Sequence, residues 1–255
     1  MKRLTLFVYG ILCYAVFFAT FLYAIAFVGD LPGVPRTIDG APRMATTPAL
    51  LIDLLLLTLF AVQHSLMARP AFKALWTRII PAAAERSTYV LFSSLALILL
   101  FRFWQPLGGQ VWSLQSTAGQ VLMYAGFAFG WALVLYSTFL INHFDLFGLR
   151  QVWLQLRGQA YRPLAFKTPG AYRLVRHPLY VGWFFAIWCT PQMSVTHMLF
   201  ALVTAAYIVA AISLEEHDLI EAHPEYQSYR QRVPKLLPRL RFERTDAASR
   251  DTLEL

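Results

Sequence analysis

Long apolar stretches without charge alternate along this chain with short segments that carry most of its charged residues. A membrane-spanning helix needs about 20 mostly apolar residues. Stretches that meet or approach this length cover residues 4–28, 47–68, 87–104 and 117–142. The pattern therefore predicts four spans, and the first is too long for the apolar core of a cleaved signal peptide.

A further uncharged stretch covers residues 178–214. It is too long for one span and barely long enough for two. Proline interrupts a helix, so Pro191 predicts a helical hairpin with a shorter first arm. A charged segment follows and predicts a C-terminal helix in water. The predicted fold class is all-α: a polytopic membrane helical bundle of four spans, a C-terminal hairpin and a cytoplasmic C-terminal helix.

The basic residues predict the orientation of the chain. Lys and Arg in short loops are retained on the cytoplasmic side. They are concentrated at the N-terminus, after the second span and after the fourth, whereas residues 105–116 carry no charge. Both termini are therefore predicted to be cytoplasmic, in the inner membrane if the source is a bacterium.

Composition excludes several classes of protein. The chain is 58% hydrophobic and 14% charged, against about a quarter charged in soluble domains. Both cysteines, Cys13 and Cys189, lie in apolar runs, which excludes a disulfide framework and a cysteine-rich zinc module. The net charge of +8 is spread between apolar stretches and gives no nucleic-acid-binding face. We predict membrane lipid as the surroundings, no metal and no obligate protein partner.

The chain is predicted to form one integral domain, because it shows no repeat of 20–50 residues. We divide it into a four-span bundle at 1–142, a cytoplasmic loop at 143–177, a hairpin and C-terminal cosubstrate-binding segment at 178–243, and a flexible tail at 244–255.

The sequence Arg-His-Pro-Leu-Tyr-Val-Gly at 176–182 begins the hairpin. Pro178 favours a helix N-terminus there, which attracts anions, and Arg176 can grip a carboxylate with two hydrogen bonds. Alternatively, the Arg and His extend to the membrane surface beside an interfacial Tyr.

Two adjacent carboxylates, Glu215 and Glu216, follow the last apolar residue. Carboxylates in lipid are costly, so these two are expected to face a protein pocket or water. Such a pocket suits an ammonium group, a sulfonium or ribose hydroxyls. Alternatively, the pair is a solvated helix segment.

Together these elements, with Tyr226, Tyr229, Val233, Pro234 and Pro238 downstream, resemble the isoprenylcysteine carboxyl methyltransferase superfamily of membrane enzymes. The resemblance covers about residues 171–239 and implies S-adenosylmethionine bound on the cytoplasmic side. By position it implies the following cosubstrate contacts: Arg176, His177, Pro178, Tyr180, Gly182, Glu215 and Glu216. We expect Arg176 to hold the methionine carboxylate, and Glu216 or Glu215 to hold the ribose or the ammonium group. His223-Pro224 departs from the glycine that members often carry there.

Residues 63–70 and 142–151, which end the second and fourth spans, are similar to those of bacterial methanethiol S-methyltransferases. That similarity implies methylation of methanethiol to dimethyl sulfide. A thiol reacts as its thiolate, so we predict a catalytic base at His143 paired with Asp145, or at His64. Asn142, Tyr229 and Arg230 are predicted substrate contacts. Alternatively, residues 142–145 are only a capped helix end.

Two other functions remain open at this point. The same scaffold could methylate a lipidic acceptor, such as a prenyl-cysteine carboxylate or a phospholipid amine. A non-catalytic protein could instead bind haem through His64, His143 or His177.

Overall fold

The computed structural model describes residues 2–238. The predicted tail at 244–255 and positions 239–243 of the C-terminal segment lie outside the described residues. The described chain is mostly helical, which confirms an all-α membrane bundle. The helices in chain order are α1 (Lys2–Val28), α2 (Thr46–Ala68), α3 (Pro70–Trp76), α4 (Glu85–Phe103), α5 (Thr117–Ile141), α6 (His143–Leu146), α7 (Leu149–Leu156), α8 (Pro178–Trp188), α9 (Val195–Ala222) and α10 (Tyr226–Arg232).

Helices α1, α2, α4, α5 and α9 are long and apolar enough to cross a membrane. The first four are the four predicted spans, and their ends agree with the sequence to within about two residues. Their apolar side chains have to be buried in lipid or protein, which drives these segments into the bundle. The chain is a multi-pass membrane protein.

The predicted hairpin consists of arms of unequal length. Helix α8 has 11 residues, about half of what a span needs, and ends just before the expected break at Pro191. The chain then forms strand β2 (Gln192–Ser194), which pairs antiparallel with β1 (Gln110–Ser113) in the loop after α4. Helix α9 returns through the bundle and continues without a break past Glu215 and Glu216. The small sheet was not predicted from the sequence.

The two ends of the bundle differ in chemistry. At one end Arg69, after α2, pairs with Asp218 near the end of α9 at 2.9 Å. We call this the basic end, because the basic segments gather there. At the opposite end the β1–β2 sheet forms, and the Trp104 indole donates to the Ile38 carbonyl at 3.0 Å. We call it the sheet end. This arrangement fits the predicted placement of all basic loops on one side.

Glycines allow α5 and α8 to pack against each other at short range. A Cβ atom on Gly182 would lie 2.7 Å from the Gly130 carbonyl oxygen, closer than real side chains approach. Gly126, one turn away on α5, faces Cys189 in the same way. The small residues of the fourth span therefore fix the position of α8 and of the motif that begins it.

Buried polar groups also tie spans together. Asp53 in α2 is buried, and its Oδ1 accepts a hydrogen bond from the Gln105 amide at 2.9 Å. This contact joins α2 to the segment that leaves α4 at the sheet end. It gives a carboxylate inside the bundle a structural partner.

The segment 143–177 is more ordered than the predicted loop. It contains α6, α7 and a 3₁₀ turn at Gly170–Arg173. Gly148 adopts a positive φ of 88° and lies against Ser87, where a Cβ atom would meet the Ser87 amide at 2.6 Å. Only glycine fits this approach. It brings the start of α7 against the start of α4.

Candidate active site

A buried ion pair joins the two sequence motifs at the basic end. The Arg176 Nε donates to Glu216 Oε1 at 2.7 Å, and His177 Nε2 lies 3.0 Å from the same oxygen. The Glu216 side chain is only 4% exposed. The two motifs, which are 40 residues apart, therefore meet as the sequence predicts.

A second nitrogen of the Arg176 guanidinium contacts the C-terminal segment. Its Nη1 donates to the Arg230 and Val233 carbonyls at 2.9 and 2.6 Å. The backbone amides of Arg176 and His177 donate to the Pro234 and Lys235 carbonyls. Protein acceptors thus use two of the three nitrogens of the guanidinium that we expected to grip a cosubstrate carboxylate. Its observed contacts clamp the end of the chain to the start of α8.

Glu215 is the accessible carboxylate of this cluster. Its side chain is 44% exposed, and it accepts a hydrogen bond from the Tyr180 hydroxyl at 3.0 Å. The ring of Tyr180 stacks on His177 at 5.5 Å. Of the two neighbouring glutamates, Glu215 is free to contact a ligand, whereas Glu216 is enclosed by cations.

The C-terminal helix closes one side of the cluster. The Tyr229 hydroxyl donates to the Tyr172 carbonyl at 2.6 Å, and burial raises the pKa of Tyr229 to about 12. Arg230 Nε lies 3.4 Å from Glu216 Oε2, and its side chain is 48% exposed. These contacts place both predicted substrate residues beside the cluster. Tyr226 is also buried here, and its hydroxyl has no hydrogen-bond partner within residues 2–238.

Pro178 and Gly182 hold α8 in place. Pro178 is the first residue of α8 and is buried. Its missing amide hydrogen has no cost there, because an amide at the first helical position has no acceptor within the helix. Gly182 faces Gly130 across the contact with α5. The geometry gives both residues a structural role and leaves their predicted contact with cosubstrate a proposal.

His64 lies in a pocket of aromatic and hydroxyl groups. The Tyr89 hydroxyl is 2.9 Å from its Nε2, and Ser93 Oγ is 3.2 Å from its Nδ1. Both nitrogens of His64 therefore have partners within the protein.

The expected pair between His143 and Asp145 does not form. His143 is buried, with Thr138 Oγ1 2.8 Å from Nδ1 and the Tyr14 hydroxyl 2.8 Å from Nε2. Burial lowers the pKa of His143. Asp145 Oδ1 instead accepts from Arg150 at 2.7 Å. The short turn of α6 points the two side chains to different partners, so this part of the sequence prediction was wrong.

Asn142 forms the start of α6. Its Oδ1 accepts from the Asp145 amide at 3.0 Å, which is the N-cap contact that the alternative interpretation predicts. Its φ of 156° is rare for a side-chain-bearing residue, and this cap holds it in place. The predicted role of Asn142 as a substrate contact stays a proposal.

Relatives identify the family of this chain. A methanethiol S-methyltransferase of Crocosphaera subtropica is 53% identical over 239 residues, which are 93% of each chain. Another, from Mycobacterium tuberculosis, is 48% identical over 239 residues, 93% of this chain and 98% of its own. The chain belongs to the methanethiol S-methyltransferase family. Nurim of Rattus norvegicus is 35% identical over 176 residues, 66% of each chain. No family model and no solved structure matches.

Membership of the methanethiol S-methyltransferase family confirms the resemblance found in the sequence. The chain is therefore a membrane enzyme that transfers a methyl group, and it requires a methyl donor. The similarity covers the spans as well as the C-terminal motifs, since it extends over 93% of the chain.

In this member of the methanethiol S-methyltransferase family, the sequence did not predict the tyrosine hydroxyls that contact the imidazole rings of His143 and His64. Tyr14 contacts His143 from a position 129 residues away, and Tyr89 contacts His64 from 25 residues away. The chain contains 12 tyrosines, and most tyrosines of a membrane protein serve as interfacial or core residues. No local pattern distinguishes these two, because tertiary packing alone brings them to the histidines.

Proposed function

We propose that the chain transfers the methyl group of S-adenosylmethionine to methanethiol and releases dimethyl sulfide. Its 53% identity over 93% of the chain to a named methanethiol S-methyltransferase carries this proposal. In the reaction, the thiol sulfur forms a bond to the methyl carbon while the bond from that carbon to the sulfonium breaks. S-adenosylhomocysteine leaves, and the thiol proton passes to a base.

The cluster at the basic end supports binding of the adenosyl part of the donor. Glu215 offers an exposed carboxylate for ribose hydroxyls, and the Tyr226 hydroxyl is a buried polar group without a protein partner among the described residues. His177 and Tyr180 form one wall through their stacked rings. The Arg176–Glu216 pair positions these groups by fixing α8 against α9.

His64 and His143 are the two candidates for the base. A neutral imidazole can accept the proton of a thiol and so raise the fraction of reactive thiolate. Both nitrogens of His143 already contact Thr138 and Tyr14, and Asp145 is paired with Arg150. The nitrogens of His64 likewise contact Tyr89 and Ser93, so His64 and His143 both remain candidates for the base, and Asp145 remains a candidate beside His143.

Weak affinity for the acceptor follows from its size. Binding energy is at most about 1.5 kcal/mol per heavy atom, so the two heavy atoms of methanethiol give at most about 3 kcal/mol. That corresponds to a dissociation constant in the millimolar range. We expect a high KM for the thiol, and rate enhancement from positioning the thiol in line with the methyl group in a dry site.

We further propose that the basic end faces the cytoplasm of a bacterial inner membrane, since basic loops are retained on that side. The donor is water-soluble and would reach the cluster from there. We also retain the division into a four-span bundle at 1–142, a connecting segment at 143–177 and a cosubstrate-binding segment at 178–243.

The other two functions have less support. The relatives that cover 93% of the chain are named as thiol methyltransferases. For haem, His64, His143 and His177 each already contact a hydroxyl or carboxylate group of the protein. Thus neither a lipidic acceptor nor haem explains the site as well as a thiol.

The test uses detergent-purified protein with S-adenosylmethionine carrying a labelled methyl group. Gas chromatography should detect labelled dimethyl sulfide when methanethiol is added and none when either substrate is left out. A parallel reaction offers a prenyl-cysteine acid and a phosphatidylethanolamine as acceptors. Labelled lipid in place of labelled sulfide would contradict the proposal, as would the absence of any product from protein that binds S-adenosylhomocysteine.

A further inference from the structure

Helix α7 packs beside the first part of α1, and the two helices run in opposite directions. A Cβ atom on Gly10 would meet a methyl group of Val152, and a Cβ atom on Gly158, just after α7, would lie 2.7 Å from Arg3 Nη1. The contacts thus move toward the start of α1 as they move toward the end of α7. The start of α1 and the end of α7 therefore lie at the same level of the basic end.

One arginine extends beyond each of two neighbouring aromatic rings in these helices. The ring centres of Phe7 and Trp153 are 5.6 Å apart. Arg3 precedes Phe7 by four residues, and Arg157 follows Trp153 by four, which is about one helical turn in each case. The Arg157 guanidinium carbon lies 5.7 Å from the centre of the Trp153 ring. Both guanidinium groups therefore lie on the same side of the two rings, and we call Arg3 and Arg157 the arginine pair.

Neither member of the arginine pair has an acidic partner within residues 2–238. Both side chains are exposed. The arginines of that part of the chain that do form ion pairs are Arg69, Arg150, Arg176 and Arg230. Two neighbouring positive charges repel each other, and an anion between them replaces that repulsion with attraction and accepts hydrogen bonds from both. The arginine pair is therefore available to an anionic ligand.

The depth of the arginine pair in the membrane indicates the kind of anion. Residues 4–28 carry no charge, so Arg3 is the last charged residue before the hydrocarbon layer. Trp153 is 45% exposed, and tryptophan is enriched at the membrane–water interface. Leu4 and Ile11, which flank Phe7 on the surface of α1, are also exposed. A ligand here meets two guanidinium groups at the depth of lipid headgroups and apolar side chains below them.

We propose that the arginine pair binds the phosphate of an anionic phospholipid, whose acyl chains lie along Phe7, Trp153 and the exposed side of α1. Guanidinium groups match the geometry of phosphate oxygens, and each can donate two hydrogen bonds. A zwitterionic phospholipid carries the same phosphate, but its own cation would be repelled by the arginines. None of these residues belongs to the cluster at the basic end, so the inference does not depend on the methyl donor or acceptor.

Native mass spectrometry of the delipidated full chain in detergent tests this assignment. Phosphatidylglycerol and phosphatidylcholine with the same acyl chains are titrated separately. Each basic residue near an anionic surface strengthens binding about five-fold, so the parent should bind phosphatidylglycerol about twenty- to thirty-fold more tightly than phosphatidylcholine. The double variant Arg3→Gln with Arg157→Gln should bind the two lipids with nearly equal affinity. If it fails to fold, Arg157→Gln alone replaces it and should lose about five-fold.

A matched control separates a specific site from the overall charge of the basic end. The double variant Arg78→Gln with Arg232→Gln removes the same two charges from exposed positions outside the arginine pair. It should keep the preference of the parent for phosphatidylglycerol. An equal loss of preference in both double variants overturns the proposal, because net charge would then explain it. A parent protein that does not distinguish the two lipids overturns it as well.

Two further measurements test the chemistry of the site. Arg3→Lys with Arg157→Lys keeps both charges and loses the planar two-bond geometry, so it should bind phosphatidylglycerol several-fold more weakly than the parent. Full retention of affinity would overturn a site built from guanidinium groups. Ammonium phosphate should leave lipid binding as it is in ammonium acetate of the same ionic strength. Displacement of the lipid by inorganic phosphate would instead make a soluble anion the ligand and overturn the lipid assignment.

Discussion

Glu216→Ala should destabilise the fold far more than the same change at its neighbour. The Glu216 carboxylate accepts from Arg176 at 2.7 Å and contacts His177 and Arg230. Removing one partner of a buried pair costs about 3–5 kcal/mol. Arg176 keeps its two carbonyl contacts, so we take the lower end, about 3 kcal/mol. For a protein of this size that is a decrease in Tm of about 6–12 °C.

Glu215→Ala is the matched control. This side chain is 44% exposed and loses one hydrogen bond from Tyr180 at 3.0 Å. The expected cost is under about 1.5 kcal/mol, so Tm should decrease by only a few degrees. The assay is thermal unfolding in detergent, followed by tryptophan fluorescence at fixed pH and salt.

A double variant tests the physical cause of the difference. Replacing both Arg176 and Glu216 with leucine removes the uncompensated charge, and apolar replacements of buried pairs are often neutral or better. The double variant should therefore unfold at a higher temperature than Glu216→Ala. Equal Tm values for Glu215→Ala and Glu216→Ala would refute the reasoning, and so would a double variant less stable than Glu216→Ala.

Three further changes test other parts of the fold. Because burial lowers the pKa of His143, the stability it contributes should be present above about pH 6.5 and be lost as pH falls through that lowered pKa. His143→Gln should flatten this part of a Tm-against-pH curve. Asp53→Leu should cost about 1–3 kcal/mol in detergent unfolding, since the Gln105 amide loses its acceptor, whereas Asp53→Asn should cost less. Gly182→Ala should cost about 1–3 kcal/mol, because its Cβ meets the Gly130 carbonyl.

The spans could be predicted because lipid imposes one simple requirement. Each crossing needs about 20 apolar residues in a helix, so the sequence located α1, α2, α4 and α5 closely. The short α8 was also foreseen from Pro191. Strands β1 and β2 were not, because they are only four and three residues long. Their pairing depends on two loops that the bundle brings together.

The site could be predicted less completely, for a different reason. Residue types placed Arg176, His177, Glu215 and Glu216 in one cluster, and the structure brings them together. Which of the two glutamates is buried depends on the rotation of α9 about its axis. The sequence does not specify that rotation, because both glutamates lie in the first turn after the apolar stretch. The same limit applies to His143, since its hydroxyl partners come from α1 and α5.

The cosubstrate cluster couples binding of the donor to the folding of the basic end. Glu216 belongs to α9, Arg176 precedes α8, and Arg230 belongs to α10, so one carboxylate fixes three segments. Glu215, the adjacent residue on α9, can be positioned only if those segments are held. A ligand that binds the assembled state stabilises it in proportion to RT ln(1 + [L]/Kd). Loss of the ion pair should therefore weaken donor binding even though Glu216 is buried away from the ligand, and S-adenosylhomocysteine should recover part of the lost stability.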